Sequence, residues 1–203
     1  PETSNPEKNP DFDMIDAQLT TEIFGFFSPA RPDFAVEMAE LPIQTTARFN
    51  AEWISKFYVS MYSMAANADP NQTTKENLIN FAEKSRALLP DDSYSAKMYD
   101  FVKKQYYEDI PWETIRDNVY QRYQVEQKDG YDLTSRNMRC NACAAAGINF
   151  AASIISLFAG EGDLKETIKI GSLSGWDSDN PTATWGGLIG FMIGADGVEK
   201  AFD

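Results

Sequence analysis

The stretch MRCNACAAAGINFAASIISLF, residues 138–158, is almost entirely apolar or small. About 20 residues of this kind would be long enough to cross a bilayer. Asn141 and Asn149 interrupt the run, and alanine is only weakly hydrophobic. The run therefore reads as a helix buried on all sides at the centre of a helical domain.

Its flanks are helical too. Downstream, Gly160-Glu161-Gly162-Asp163 ends the run and caps a helix to about residue 172, and a last helix covers residues 181–193. Upstream, a polar loop at residues 126–135 turns at Asp129-Gly130. Before it, Pro111 stands where a first helical residue would, opening a helix through about residue 123. A Tyr- and Lys-rich helix to residue 107 follows Pro90-Asp91-Asp92-Ser93. Thr73-x-x-Glu76 is a capping-box pattern for a helix ending near residue 89. Phe49, Trp53, Phe57 and Met61 form one stripe of a helix over residues 45–66. Ser28-Pro29-Ala30-Arg31-Pro32 separates a short helix at 34–40 from a first helix at 14–24, whose Ile15, Leu19 and Ile23 recur every four residues. Residues 1–12, with Pro1, Pro6 and Pro10, read as a flexible segment and a processed end or linker, with no signal-peptide core. No strand pattern competes, so the expectation is an all-α multi-helix bundle, one domain over residues 13–203.

Composition narrows the chemistry. The 203 residues include 18 Lys+Arg and 31 Asp+Glu, a net charge of −13, and no histidine. That excludes Ser–His–Asp and Cys–His nucleophiles and any His-ligated metal. A pI near 4.4 argues against nucleic acid bound through a basic face. Cys140 and Cys143 are too few for a zinc site and lack the strand a thioredoxin motif needs, leaving a short-loop disulfide or two thiols. Asn71-Gln72-Thr73 is a glycosylation sequon. The sequon, the close cysteine pair and the non-Met first residue lean towards secretion, with a cytoplasmic location as the alternative. Tyr94, Tyr99, Tyr106, Tyr107, Trp112, Tyr120 and Tyr123 read as core packing before a base-stacking platform. Lys103, Lys104, Arg116 and Arg122 read as solvated charges, and Glu52 as an ordinary surface carboxylate.

The most unusual segment is GWDSDNPTAT, residues 175–184, which places Asp177 and Asp179 immediately before a helix. Two readings compete. In one, Asn180 is the N-cap and both carboxylates answer the helix dipole. In the other, Asp-x-Asp plus a third oxygen donor holds a hard cation such as Mg²⁺, Mn²⁺ or Ca²⁺. Gly186, Gly190 and Gly194, four apart, would let the last helix lie close against a neighbour. Ser172-Leu173-Ser174-Gly175 suits the close approach of a ligand, or a plain turn.

Gly175-Trp176-Asp177-Ser178-Asp179-Asn180-x-x-Ala183-Thr184-x-Gly186-Gly187-Leu188-Ile189-Gly190 resembles the C-terminal signature of ADP-ribosylglycohydrolases. The order of Asn141, an Ala-rich helix and Gly160-Glu161-Gly162-Asp163 is similar to the family's, and Arg48-Phe49-Asn50-Ala51 resembles its Arg-Gly-Asn-Gly segment. The resemblance implies the family's orthogonal helical bundle. It implies metal ligation by Asp177, Asp179 and Asn180, and substrate contacts from Phe49, Asn50, Ser174, Gly175 and Trp176. The implied reaction is hydrolysis at ribose C1 of an ADP-ribose-type small molecule or an ADP-ribosylated protein, with water activated by Mg²⁺ or Mn²⁺. In the family a Thr-Asp-Asp cluster completes a two-ion site, and this chain has no such triplet. The expectation is one ion or none, or two if an N-terminal fragment of the same precursor supplies the cluster. Ala47 stands at a family histidine, and Phe49 and Ala51 at two family glycines. A non-catalytic binding or assembly protein with a vestigial metal loop is the alternative. Neither reading calls for nucleic acid or a membrane.

Overall fold

A computed structural model describes residues 2–132 and 143–203. Among them the chain is all-α: α1 (Asp16–Thr21), α2 (Ile23–Phe27), α3 (Pro32–Ile43), α4 (Asn50–Ala65), α5 (Thr74–Arg86), α6 (Tyr94–Tyr107), α7 (Trp112–Val119), α8 (Ala146–Ala159), α9 (Leu164–Leu173) and α10 (Asp179–Phe202). The only β pairing among the described residues is a single antiparallel bridge, Met14 to Ala145.

Helix α8 is the hub. Every residue from Ala146 to Phe158 is buried, as a helix enclosed on all sides requires. No helix of the described residues is long and apolar enough to cross a membrane. Residues 138–142 and the Cys140 half of the expected cysteine pair lie outside the described residues. The helix itself opens only at Ala146, because Ala145 is extended and its neighbours pair with the chain before α1. Around α8 the rings of Phe57, Tyr58, Tyr99, Phe150 and Trp185 meet mostly edge to face, at centroid distances of 5.2–5.9 Å. Tyr94, Tyr99 and Tyr123 are buried, whereas Tyr107 and Tyr120 stand in solvent.

Local chemistry sets several ends as expected. Thr73 and Glu76 form the full capping box of α5, Ser93 Oγ accepts from Ala96 N at 3.1 Å, and Asp163 Oδ1 accepts from Glu166 N at 2.7 Å. Asn71 is exposed in the turn before α5, its side chain donating to Asp69 Oδ1 at 3.0 Å. Lys103, Arg116 and Arg122 are paired with Glu83, Asp117 and Asp129. Pro111 is the N-cap of α7 and not its first helical residue. Helix α3 is longer than 34–40, since Pro32 sits at its first position.

Three expectations need correction. Helix α4 starts at Asn50 and not near residue 45, because Phe49 has φ 55°, ψ −123°, which no helix can propagate. The Ile15–Leu19–Ile23 stripe is only in part the buried face of the first helix: Ile15 is buried, but Leu19 is 48% and Ile23 46% exposed, while Ala17, Gln18, Thr21 and Gly25 are buried. The reason is proximity. A Cβ on Gly25 would lie 2.4 Å from Tyr62 Cβ and 2.6 Å from the Val59 carbonyl, so only small side chains fit between α2 and α4. The glycines of the last helix do not form a tight seam either. Gly186 and Gly190 have room for a Cβ, and Gly194, at φ 72°, breaks α10 so that Val198 lies back against Gly190. Close approaches in this region are at Gly171, where a Cβ would meet Thr182 at 3.0 Å, and at Gly187, where it would meet the Tyr62 hydroxyl at 3.0 Å.

The opening segment, expected to be flexible, lies against α3 and the start of α4. Ser4 is fully buried with its hydroxyl on the Gln44 carbonyl, and Phe12 O accepts from Arg48 N at 3.1 Å.

Candidate functional site

The Asp loop hangs from amide side chains of three other elements. From α8, Asn149 Oδ1 accepts from Asp177 N at 3.1 Å, while the Asn149 side-chain NH₂ donates to the Ala145 carbonyl at 2.9 Å. From the π-helical turn after α7 (Tyr120–Val125), buried Gln124 accepts from the Trp176 indole N–H at 2.9 Å. From α1, Gln18 and Asn180 form a reciprocal amide pair, Nε2 to Oδ1 at 2.8 Å and Nδ2 to Oε1 at 3.2 Å. The loop is sharply bent, with Gly175 at φ 95° and Trp176 at φ 55°.

Asp177 is half-buried and Asp179 exposed. Burial, the adjoining Asp179 carboxyl and then the charge of Asp16 push the Asp177 carboxyl up to about 6. Asp16, in the first turn of α1, is the residue that sequence reasoning missed. It also lines a cleft of about 400 Å³ with Asn9, Asp11, Met14, Thr46 and Ala144. The available signal was an Asp two residues before a Gln at a helix start, indistinguishable in isolation from a dipole-stabilising cap.

The other expected site residues divide. Asn180, expected as a metal ligand or as the helix cap, is not the cap. Helix α10 begins two residues earlier than expected, with Ser178 in the cap position, and buried Asn180 spends its amide on Gln18. Ser174 Oγ is bound back to the Ile170 carbonyl at 2.7 Å, and Asn50 Oδ1 accepts from Ser95 N at 3.1 Å, tying α4 to α6. Phe49 is 54% exposed, its ring edge-on to Phe12 at 6.1 Å. Glu52, expected as a surface carboxylate, is buried and bridged to Lys56 at 2.8 Å.

The donor set suits a hard cation in kind: carboxylate oxygens, no nitrogen, no sulfur. Among the described residues no three acidic side chains are grouped closely enough to hold an ion between them. The arrangement therefore fits an ion that keeps most of its water and takes one or two carboxylates, the habit of Mg²⁺.

Neither the curated proteins nor the solved structures contain a match to the chain. A family model described as ADP-ribosylglycohydrolase matches residues 4–202, and over that span the chain belongs to the ADP-ribosylglycohydrolase family.

Proposed function

We propose that the chain acts as a metal-dependent hydrolase on the glycosidic bond at ribose C1 of an ADP-ribose-type small molecule or an ADP-ribosylated protein. Asp177 and Asp179 would hold a Mg²⁺ or Mn²⁺ ion, with Asp16 facing it from α1. The observation that carries this reading is the crowding of like charge at Asp177, with Asp179 and Asp16 as its neighbours in a chain of net charge −13. Such crowding is unfavourable unless a cation or a shared proton relieves it. When bound, a divalent ion supplies that relief and polarises a water molecule.

The protein groups have separate tasks. Asp177, the less exposed of the two loop carboxylates, would accept a proton from the attacking water. As the water oxygen bonds to C1, the C1–leaving-group bond breaks. Its electron pair departs with the leaving group, which is protonated from solvent, and the water proton goes to Asp177. The cleft beside Asp16 is large enough for a nucleotide-sized ligand. Phe49 stands at the start of α4 as a candidate flat contact for it, with Trp176 holding the loop. Asn180 and Asn50 would support the site through their bonds to Gln18 and Ser95.

A second reading, a binding protein with a vestigial metal loop, is favoured by one observation: Phe49 fills a position where the signature has glycine. Calorimetric titration with Mn²⁺, beside hydrolysis assays on ADP-ribosyl-arginine, ADP-ribosyl-serine and ADP-ribosylated protein, separates the two. Binding lost in Asp177→Ala together with turnover of one substrate is the expected result. ADP-ribose binding without Mn²⁺ dependence or turnover would establish the second reading instead.

A further inference from the structure

Hydrolysis as described uses neither Gln18, Glu22, Thr184 nor Tyr62, yet these four form the densest polar cluster around the site. Gln18 Nε2 lies within hydrogen-bond distance of three acceptors, Glu22 Oε1 at 2.9 Å, Asn180 Oδ1 at 2.8 Å and Thr184 Oγ1 at 3.0 Å, among which it shares its two N–H groups. Thr184 Oγ1 donates to Glu22 Oε1 at 2.7 Å, and the Tyr62 hydroxyl donates to the Thr184 carbonyl at 2.7 Å. Gln18, Thr184 and Asn180 are buried. The Glu22 carboxyl is turned into the cluster, where burial raises it above the ordinary glutamate range against the hydrogen bonds it receives. A carboxyl placed there is costly unless its partners are retained together.

Placement explains what the cluster achieves. Helix α1 packs chiefly on α4 and α3, and α10 chiefly on α9 and α8. The two helices that bring Asp16 and the Asp177–Asp179 pair together are therefore not fixed to each other by broad apolar contact. Their relative register rests on directional bonds. Gln18 is two residues from Asp16, Asn180 is one from Asp179, and Glu22 and Thr184 repeat the same cross-connection one helical turn further on. Tyr62 attaches the pair to α4.

We infer that Gln18, Glu22 and Thr184 are positioning residues: they lock α1 to α10 so that Asp16 stays opposite the Asp177–Asp179 pair that would hold the cation. The inference rests on the metal reading above. Removing outer partners of metal ligands of this kind typically lowers metal affinity about 10–100-fold. Mn²⁺ affinity, measured by calorimetry on the purified chain, should fall at least about tenfold in Gln18→Met and in Glu22→Leu. Glu22→Gln keeps an acceptor oxygen for both donors and should stay within about threefold of the parent protein. The loss caused by Gln18→Met should largely disappear when Asp16 is already alanine, because the register then has nothing to align. A merely structural role would give additive losses instead.

If Glu22→Leu does not fold, as judged by circular dichroism, Thr184→Val and Gln18→Met decide the question. Parent-like affinity in Gln18→Met and Thr184→Val, or additivity with Asp16→Ala, overturns the inference alone. A parent protein with no Mn²⁺ binding sensitive to Asp177→Ala overturns the metal reading beneath it, and the inference with it.

Discussion

Helix α4 is packed by opposite means on its two sides. Towards α6 and α8, Phe57 is completely buried, its ring edge-on to Tyr58, Tyr99 and Phe150 at 5.2–5.9 Å. Towards α2 and α10 rings also meet, Tyr62 with Phe26 at 4.9 Å and Tyr58 with Trp185 at 5.4 Å, but small and directional contacts are added to them. Gly25 presses on the Val59 carbonyl, Ser63 Oγ bonds to the Ser28 carbonyl, and Tyr62 donates to the Thr184 carbonyl. The first side stabilises through apolar area, which is indifferent to small rotations. The second depends on positions good to a few tenths of an ångström, and this is the side on which the candidate site is built. The two faces thus differ in how strictly they fix position.

The largest effect should come from the aromatic side. Phe57→Ala removes a fully buried ring and should cost about 3–5 kcal/mol, or roughly 10 °C in melting temperature. Below that temperature Mn²⁺ affinity should be near the parent value. A protein that melts normally but has lost Mn²⁺ binding would break the division between the two faces. Gly25→Ala tests the other side. The added methyl meets Tyr62 and the Val59 carbonyl, and relieving that overlap should cost about 1–3 kcal/mol. Here the affinity should fall as well, since α2 continues directly from α1. Thermal melts and calorimetry on the same two variants give the comparison.

The same division governs what could be read from sequence. Capping boxes, proline punctuation and the apolar run of α8 announce helices through local chemistry, and the all-α class follows from them. The Asp loop stood out through its resemblance to the family signature, because Asp-x-Asp before a helix is by spacing alone an ordinary helix start. The polar face was not legible. Ile15, Leu19 and Ile23 have the spacing of a buried stripe, but only Ile15 is buried, and tight packing selected Ala17, Thr21 and Gly25 beside it. Asp16, Gln18 and Glu22 look like an ordinary solvated helix start until α10, some 160 residues later, is placed opposite them. Asn180 illustrates the same point. Its type suggested a ligand or a cap, and only its partner Gln18 shows that it is a tether.

A smaller effect sharpens the comparison through pH. Asp177 titrates near 6 in the folded chain, above the ordinary aspartate value of 3.8 that applies when unfolded. Between those values the folded state binds more protons, so this group's contribution to stability is lost as pH rises from about 4 to about 6. Asp177→Asn removes that loss. In metal-free buffer at pH 7.5 the variant should exceed the parent by about 1 kcal/mol once solvent screening is allowed for, roughly 2–4 °C. At pH 4 the two melts should coincide. Excess Mg²⁺ should then raise the parent protein and leave the variant unmoved. A constant offset at every pH would mean that the carboxylates of the loop do not repel one another.

The smallest expected change concerns the two aromatic residues held at positive φ beside the site. Trp176, at φ 55°, is half-buried and its indole N–H is bonded to Gln124 at 2.9 Å, so packing and a hydrogen bond offset the backbone strain. Phe49, at φ 55°, is 54% exposed and touches Phe12 only by its edge. Strain of this kind is worth on the order of 1–3 kcal/mol, and glycine would relieve it while adding about 0.5–1 kcal/mol of chain entropy to the unfolded state. Phe49→Gly should therefore be neutral to slightly stabilising, by no more than about 1 kcal/mol, in a chemical melt. Trp176→Gly, which loses the indole contacts as well, should destabilise. Among the described residues the strained Phe49 therefore has little packing to offset its backbone cost. A Phe49→Gly variant less stable by more than about 1 kcal/mol would show instead that the Phe12 edge contact is what holds it there.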